Sequence, residues 1–357
     1  MTAGAGRPAV IVVGAGIIGA ATAQQLTARG AATVIVDRAD APARGATGSS
    51  GGMVRAFDPD PTVAALASAS LRIYADGSQW ADGSSPLRRV GAVTIADSAA
   101  APVLRAAARR LGLGAAAVSS AEELLGVRTA GGVGLVEPDA GWIDPVRATR
   151  DWLGRACRAG ATARFGHAVV RVTTEQGRPG VELDDGTALT ADAVVLALGA
   201  WAAQPVPGLR EPTVLRTRSI QISTVRRGQE AGRAGHASFV DLRTGAYGRP
   251  IDEESSLIGL PHEVWDVDPA DRHRPSVPHT TRTREAVAVN LPWAGQAPLL
   301  TTVRSYDGYT SSTEVLRPTG NSGVWSVRGW SGGGVKVAPA VGRLVAERVL
   351  SQVRTPS

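Results

Sequence analysis

The sequence predicts an α/β fold with a parallel sheet near its amino terminus and a second, β-rich region later in the chain. Three observations carry this prediction. A short apolar run, Val10 to Val13, is followed by a glycine-rich turn and a helical pattern. A second β-branched run, Thr33 to Val36, comes next, so two strands flank one helix, as in a parallel sheet. From Glu211 to Arg317 the chain is more polar and rich in turn residues.

The turn after the first strand has the spacing G-x-G-x-x-G, formed by Gly14, Gly16 and Gly19. Gly14 permits a tight turn, Gly16 lets backbone amides approach a pyrophosphate, and Gly19 lets the helix lie against the strand. Asp37 stands 23 positions after Gly14, where its carboxylate can accept hydrogen bonds from ribose hydroxyls. These features predict dinucleotide binding. The alternative is a glycine-rich turn in some other α/β domain.

Composition favours a globular enzyme and argues against several partner classes. The 357 residues are 43% apolar and 20% charged, which is ordinary for a globular chain. The net charge is +6, but the arginines are scattered and Lys336 is the only lysine, so we expect no nucleic-acid partner. A single cysteine, Cys157, fits a reducing compartment. Without a signal-like start or a membrane-length apolar stretch, we expect a cytoplasmic protein that does not bind membranes.

The remaining elements follow from periodicity and caps. A run of small residues at 46–57 permits close approach of the backbone to a ligand, and a linker is its alternative. Asp144 and Pro145 predict a helix start, as N-cap and first helical residue. The helical spacing that follows places Cys157 on the inward face, as a packing thiol. Strands are predicted at 90–95, 169–173, 181–183, 193–197 and 324–327, and helices at 62–74, 101–111, 121–125, 145–160 and 340–350.

Several motifs in order resemble the D-amino-acid oxidase superfamily of flavoproteins, most closely its monomeric sarcosine oxidase and glycine oxidase branch. They are GAGIIG with Asp37, GWIDP at 141–145, VVLALGAW at 194–201, YGRP at 247–250, LPHEVWDVDP at 260–269, Tyr309-Thr310, and GWSGGGVK at 329–336. The resemblance implies a discontinuous Rossmann-like FAD-binding domain and a second, antiparallel-sheet substrate domain. The first would comprise residues 1–85, 139–210 and 318–357, and the second residues 86–138 and 211–317.

The resemblance also implies FAD rather than NAD. The first helix would face the pyrophosphate, Asp37 the adenosine ribose, and backbone groups of Val169 or Val170 the adenine end. Segment 47–52 would run beside the flavin, and residues 332–336 would cover the edge of its isoalloxazine ring. The implied cofactor-binding residues are Gly14, Gly16, Ile17, Ile18, Gly19, Asp37, Arg38, Arg44, Ser49, Ser50, Gly51, Val169, Val170, Gly199, Trp201, Gly332, Gly333, Gly334, Val335 and Lys336.

Four residues match positions that contact substrate in this branch. The resemblance implies that Arg55 and Lys336 hold a substrate carboxylate, with the amine near Tyr247 or His262. A lone lysine in an arginine-rich chain also indicates a place where a compact ammonium fits and a guanidinium does not. The remaining histidines, His167, His236, His273 and His279, show no ligand spacing, so no metal site is predicted.

Two positions depart from the family pattern. Asp307 stands where the branch has the cysteine that tethers FAD, so we predict non-covalent FAD. Ile258 stands where the branch has a lysine that helps dioxygen accept electrons. Either Arg218, Arg249 or His262 supplies the missing charge, or reoxidation is slow, or oxygen is used differently.

The leading hypothesis is oxidation of the C–N bond of a small amine or amino acid, with hydride passing to flavin and dioxygen becoming hydrogen peroxide. One alternative is a monooxygenase of an aromatic, indole-like metabolite, with Trp265 and Trp293 as stacking surface. A nucleotide-binding scaffold without turnover and an NAD-dependent dehydrogenase are further alternatives. The sequence leaves the substrate and the oligomeric state undetermined.

Overall fold

The computed structural model of the protein describes residues 7–114, 117–210, 215–228, 235–271 and 274–353, so His273 lies outside the described residues. The helices are α1 (Ile17–Ala28), α2 (Pro61–Ala75), α3 (Ala101–Arg110), α4 (Pro145–Arg158), α5 (Val277–Ala288) and α6 (Gly334–Val353). The strands of the first half are β1 (Ala9–Val13), β2 (Ala32–Asp37), β3 (Met53–Val54), β4 (Ala92–Ala96), β5 (Val118–Ser119), β6 (Glu123–Leu124), β7 (Val127–Arg128), β8 (Val133–Glu137), β9 (Gly141–Trp142), β10 (Thr162–Phe165) and β11 (Val169–Glu175). Those of the second half are β12 (Arg178–Leu183), β13 (Ala188–Thr190), β14 (Ala193–Leu196), β15 (Arg216–Arg226), β16 (Ser238–Asp241), β17 (Tyr247–Pro250), β18 (Ser255–Gly259), β19 (Leu299–Tyr309), β20 (Leu316–Pro318) and β21 (Val324–Val327).

A six-stranded sheet carries the glycine motif. Its order is β10-β2-β1-β14-β21-β20, and all neighbours are parallel except β20 and β21. Helices α1, α4 and α6 pack together on one face, around buried residues such as Leu26, Trp152 and Val341. A small antiparallel sheet, β11-β12-β13, covers the other face through Ile11, Val13 and Val181. Both faces are thus buried, which explains the continuous apolar run of β1.

A second sheet of eight strands has the order β19-β15-β18-β17-β16-β4-β8-β5 and is antiparallel except between β16 and β4. Helix α5 packs on one face through Val287. The predicted α/β fold with a Rossmann-like sheet and an antiparallel sheet is therefore confirmed. The strands of this sheet fall within 86–138 and 211–317, but a division of the chain into two domains stays a prediction.

Three local predictions are wrong. Residues 121–125 form no helix, because Glu123 and Leu124 pair with β7 as a short hairpin. Cys157 is exposed, although it follows Leu153 at helical spacing. At about 100° per residue, Cys157 lies about 40° beyond Leu153 around the helix, outside the buried arc. The last helix begins at Gly334, six residues before the predicted start at Ala340, and continues through Pro339.

The predicted start at Asp144 is confirmed, since its carboxylate accepts hydrogen bonds from the amides of Val146 and Arg147, with Pro145 in the first turn. Among the described residues, no helix is long and apolar enough to cross a bilayer.

Candidate active site

The turn between β1 and α1 has the geometry that its glycines predict. Gly14 adopts a φ of +105°, and a Cβ there would lie 2.4 Å from the carbonyl oxygen of Ala197. A Cβ on Gly19 would lie 1.8 Å from the carbonyl oxygen of Gly14. The amide of Ile17 donates to Thr47 Oγ1 at 3.1 Å, which joins segment 46–49 to the helix start. The first amides of α1 have no partner within the helix, and this end carries a partial positive charge.

Asp37 shapes the end of β2. Its Oδ2 accepts a hydrogen bond from the Ala15 amide at 2.6 Å, and its Oδ1 accepts one from the Ala39 amide at 2.8 Å. Each oxygen retains a lone pair for a ligand hydroxyl. The guanidinium of Arg38 lies 3.6 Å from the centre of the Trp201 ring, a cation–π contact that holds both side chains in the wall of the adjacent cavity.

A cavity of about 390 Å³, which we call the nucleotide cavity, extends from this turn. Of the predicted cofactor residues, Val169 lines it, whereas Val170 is exposed elsewhere and Gly19 is packed against the turn. Ser49, Gly51, Gly333 and Lys336 line the adjoining space instead. The predicted residues in its wall are Gly14, Gly16, Ile17, Ile18, Asp37, Arg38, Arg44, Ser50, Val169, Gly199, Trp201, Gly332, Gly334 and Val335.

The adjoining space is a second cavity of about 510 Å³, which we call the chamber. All four predicted substrate residues line it: Arg55, Tyr247, His262 and Lys336. The chamber and the nucleotide cavity share wall residues, including Asp307, Arg328, Trp330 and Gly332. The two cavities are therefore adjacent, so a ligand with a nucleotide end and a ring end has a candidate space for each.

Arg55 presents an uncompensated donor to the chamber. Its Nε is buried without a hydrogen-bond partner, and none of its nitrogens pairs with a carboxylate among the described residues. Burial lowers the pKa of Arg55, while the nearby charges of Glu137 and Asp58 act in the opposite direction. The carboxylate of Glu137 is already occupied, since it accepts hydrogen bonds from the backbone amides of Ala56 and Phe57. A guanidinium in a cavity wall with a buried, unpaired Nε favours an anionic ligand.

Lys336 lies in the first turn of α6, and its Nζ forms an ion pair with Asp58. Burial and the positive charge of Arg55 together lower the pKa of Lys336 to about 8, although Asp58 acts in the opposite direction. The carboxylate predicted to contact Lys336 would therefore meet an ammonium that already has a partner.

The start of α6 depends on helix α2. Pro339 has no amide hydrogen, so the carbonyl of Val335 lacks its usual helical donor. The hydroxyl of Tyr74 donates to that carbonyl at 2.7 Å, and the Ala340 amide donates to Ser70 Oγ at 3.2 Å. Tyr74 and Ser70 are fully buried. Side chains of α2 thus replace the bonds that the proline disturbs, next to Val335 and Lys336.

Asp307, at the position of the predicted missing tether, lies between the two cavities. Its carboxylate accepts hydrogen bonds from the amides of Gly308 and Gly332, at 2.7 and 3.1 Å. Burial raises the pKa of Asp307 to about 6, although those two bonds oppose the shift. The residue therefore fixes the glycine loop of 331–333.

The remaining predicted contacts divide between the chamber and the core. Ile258 is fully buried in the core of the eight-stranded sheet and does not line the chamber. Of the three proposed replacements for its missing charge, Arg218 and His262 line the chamber. Arg249 donates to the carbonyls of Gly51 and Pro250 and lies outside both cavities.

Histidine and carboxylate groups come together once within the described ranges. His167 Nδ1 lies 3.2 Å from Asp185 Oδ2 and 3.8 Å from Asp184 Oδ1. These three residues form the one group there whose ligand atoms lie within 4.8 Å of one another. They are half-buried or exposed at the turn after β12, which is typical of a surface ion pair.

The family model described as FAD dependent oxidoreductase (DAO) matches residues 9–348. The chain belongs to this family. The predicted resemblance is confirmed, and the match decides for FAD over NAD as the cofactor of this oxidoreductase. No protein of curated function matches the sequence.

Several solved structures of other proteins align with nearly the whole chain. L-proline dehydrogenase from P. horikoshii has a TM-score of 0.82 at 18% identity, over 97% of this chain and 94% of that chain. Glycine oxidase from Geobacillus kaustophilus has a TM-score of 0.79 at 21% identity, over 97% and 95%. Iminodiacetate oxidase from Chelativorans sp. BNC1 has a TM-score of 0.76 at 24% identity, over 96% and 95%. At these identities the likeness shows the fold.

The residues of the DAO family chain fit FAD. The glycine cradle leaves no room for a Cβ at Gly14 or Gly19. Arg328 Nη1 and Trp330 Nε1 are buried without partners in the wall shared by the cavities, so both need an acceptor there. No covalent tether is indicated, since Cys157 lies in α4 and outside both cavities.

Sequence reasoning missed Asp58, Glu137, Arg328 and Trp330 as wall or supporting residues of the site. Arg328 and Trp330 flank the first glycine of the GWSGGGVK motif, so the motif itself was a signal for them. No sequence signal pointed to Asp58 or Glu137, because they reach the site from separate segments of the chain.

Proposed function

We propose that this FAD-dependent oxidoreductase oxidises the C–N bond of a small amine or amino acid whose carboxylate binds Arg55. The observation that carries the proposal is Arg55, which lines the chamber and whose buried Nε has no hydrogen-bond partner. The structurally similar proteins include a glycine oxidase and an iminodiacetate oxidase, which supports a substrate of this class.

The chain's own residues bind and orient the substrate. Arg55 holds the carboxylate, and Lys336 with Asp58 closes the same side of the chamber. Tyr247 lies across Gly259, where a Cβ would come within 2.3 Å of the tyrosine hydroxyl, so the ring is held in the chamber wall. Burial raises the pKa of Tyr247, which keeps the phenol protonated as a donor. FAD, when bound, accepts the hydride and passes the electrons to dioxygen.

The proposed cofactor contacts follow the nucleotide cavity. The start of α1 holds the pyrophosphate, Asp37 the ribose and Val169 the adenine end, while Gly332 to Val335 lie at the ring end. The amino end of α6 adds a partial positive charge there, which favours a reduced ring.

The monooxygenase alternative stays a prediction without a supporting contact. Trp293 packs against the core of the eight-stranded sheet, and Trp265 contacts Tyr309 edge to face, with 5.4 Å between ring centres. Neither residue lines the chamber.

The test is anaerobic reduction of the FAD-loaded protein by a panel of primary and secondary amino acids, followed by admission of oxygen. We expect bleaching of the flavin absorbance by at least one carboxylate-bearing amine, and peroxide afterwards. Reduction only by amines without a carboxylate would contradict the role of Arg55. Labelled oxygen in the product would favour the monooxygenase.

A further inference from the structure

His262 is held in the wall of the chamber by contacts on its face and on one edge. The His279 ring lies 4.2 Å away between ring centres and covers one face. On one edge, Nδ1 lies 2.8 Å from Ser219 Oγ. Among the described residues, no hydrogen-bond partner reaches Nε2, and His262 lines the chamber. The edge that carries Nε2 is thus available to a ligand in the chamber.

The partners of Ser219 determine which nitrogen of His262 carries the proton. Arg304 donates from Nε to Ser219 Oγ at 2.9 Å, and a guanidinium has no acceptor. The serine oxygen therefore accepts a hydrogen bond from Arg304, and the hydroxyl can donate one hydrogen bond of its own. Two acceptors lie in reach: His262 Nδ1 at 2.8 Å and the Ser305 carbonyl at 3.5 Å. The shorter contact is the stronger bond, so the hydroxyl donates to Nδ1 and the imidazole proton is on Nε2.

The surrounding charges keep the ring neutral. Burial, the neighbouring His279 ring and the positive charges of Arg304 and Arg282 together lower the pKa of His262 to about 4. His279 is itself held neutral, because burial lowers its pKa as well, and its Nε2 contacts the Leu260 carbonyl at 3.2 Å. The nearby carboxylate of Glu263 is engaged by Arg218. No carboxylate among the described residues pairs with His262.

We propose that Ser219 and Arg304 are positioning residues that hold His262 as an Nε2–H donor to the chamber. His262 then donates a hydrogen bond to an acceptor on the substrate, a carboxylate oxygen or an unprotonated amine nitrogen, and does not remove a proton from it. This proposal rests on the chamber being the substrate site proposed above. It predicts a preference for substrates that bring an acceptor to that point.

Nuclear magnetic resonance of the FAD-loaded protein with ¹⁵N-labelled histidine tests the proton assignment directly. Long-range ¹H–¹⁵N correlations distinguish the two neutral tautomers and the cation, and a His262→Gln variant assigns the signal. We expect the Nε2–H tautomer of His262 from pH 6 to pH 8. A Nδ1–H tautomer, or a cation at pH 6, would overturn the proposal whatever the enzyme's substrate is.

Variants of Ser219 test the positioning role. Ser219→Ala should lose the single tautomer and weaken binding of a carboxylate substrate analogue about tenfold, the value of one hydrogen bond. Ser219→Thr keeps the hydroxyl and should restore both properties. Ser223→Ala is the matched control, because Ser223 is equally buried on β15, bonds Thr302 at 3.0 Å and lies outside the chamber.

The two proposals fail in distinguishable ways. If no amine or amino acid reduces the FAD, the proposed function fails, and the tautomer measured without substrate still stands. If Ser219→Ala leaves the tautomer unchanged, or if Ser223→Ala has the same effects, the positioning role fails and the substrate class is unaffected. Arg304→Met should act like Ser219→Ala on the tautomer and more weakly on binding.

Discussion

Single residues decide whether the chamber binds an anion. Arg55, Lys336, Asp58 and Glu137 come from three separate parts of the chain, and only the fold brings them together. The two positive and two negative charges nearly cancel, but the four side chains are not equally hydrogen-bonded. Lys336, Asp58 and Glu137 have partners, while Arg55 has none. The carboxylate is therefore expected to bind Arg55 first.

Arg55→Met should weaken binding of a carboxylate substrate analogue by about 10- to 100-fold, since a hydrogen bond to a charged group contributes about 1.5–3 kcal/mol. The measurement is the dissociation constant, read from the change that the ligand causes in flavin absorbance. Arg105→Met, at an exposed position of α3, is the control and should bind normally. Equal loss in both variants would refute the assignment.

Lys336 should set an alkaline limit for anion binding. Its pKa of about 8 is lowered by burial, so the ammonium is present below pH 8 and lost above it. Affinity for a carboxylate ligand should be constant from pH 6 to pH 7.5 and fall as the pH rises beyond 8. Lys336→Met should remove this pH dependence. Retention of the same alkaline fall in that variant would assign it to another group.

At the scale of elements, local signals predicted the local features. Asp144-Pro145 and the spacing of Gly14, Gly16 and Gly19 each act within one turn of chain, and the structure has the helix start and the tight turn that they predict. The start of α6 before Pro339 was missed, because what supports it there is not local. The missing amide of Pro339 is compensated by Tyr74, which lies 261 positions away from Val335 in sequence, and no local pattern contains that bond.

A double-mutant cycle tests this compensation. Tyr74→Phe should destabilise the protein by about 1–3 kcal/mol, because it leaves the buried Val335 carbonyl without a donor. Pro339→Ala returns an amide to the helix, so Tyr74→Phe should cost less in that background. Thermal unfolding midpoints of the four proteins give the coupling. Purely additive changes would show that the hydroxyl does not replace the missing bond.

Gly19→Ala should separate close packing from helix propensity. The added methyl would lie 1.8 Å from the Gly14 carbonyl oxygen, so α1 has to shift, at a cost of about 1–3 kcal/mol or more. We expect a lower unfolding midpoint and loss of FAD on gel filtration. Gly154→Ala in α4 meets only the end of Arg158, at 3.4 Å, and should be neutral or stabilising. FAD retained by Gly19→Ala would contradict the assigned role of the turn.

At the scale of the whole molecule, periodicity predicted the parallel sheet and composition indicated a β-rich region, while the antiparallel sheet was implied by the family resemblance. None of these signals predicted which buried groups are charged, since that depends on neighbours from distant strands. His236 is an example: its Nδ1 lies 2.8 Å from the Ala237 carbonyl, and its Nε2 lies 2.9 Å from Ser256 Oγ. Nothing in the sequence around His236 indicated this buried, neutral ring.

Acid stability should depend on that ring. Burial lowers the pKa of His236 to about 4 from 6.5, so between these values the unfolded chain binds a proton that the folded chain does not. The free energy of unfolding should therefore fall as the pH drops from 6.5 to 4, by about 3 kcal/mol at most from this residue. Unfolding of His236→Asn should be less sensitive to pH over that window. His167→Asn, at a half-exposed site, should keep the wild-type slope.

The common wall between the nucleotide cavity and the chamber has a thermodynamic consequence. Both spaces are bordered by Asp307, Arg328, Trp330 and Gly332. A ligand that orders these residues in one space therefore changes the binding free energy of a ligand in the other. Such linkage is reciprocal: the factor by which coenzyme strengthens retention of an inhibitor equals the factor by which inhibitor strengthens retention of coenzyme. The dissociation constant of the coenzyme should thus be lowest when the neighbouring compartment is filled.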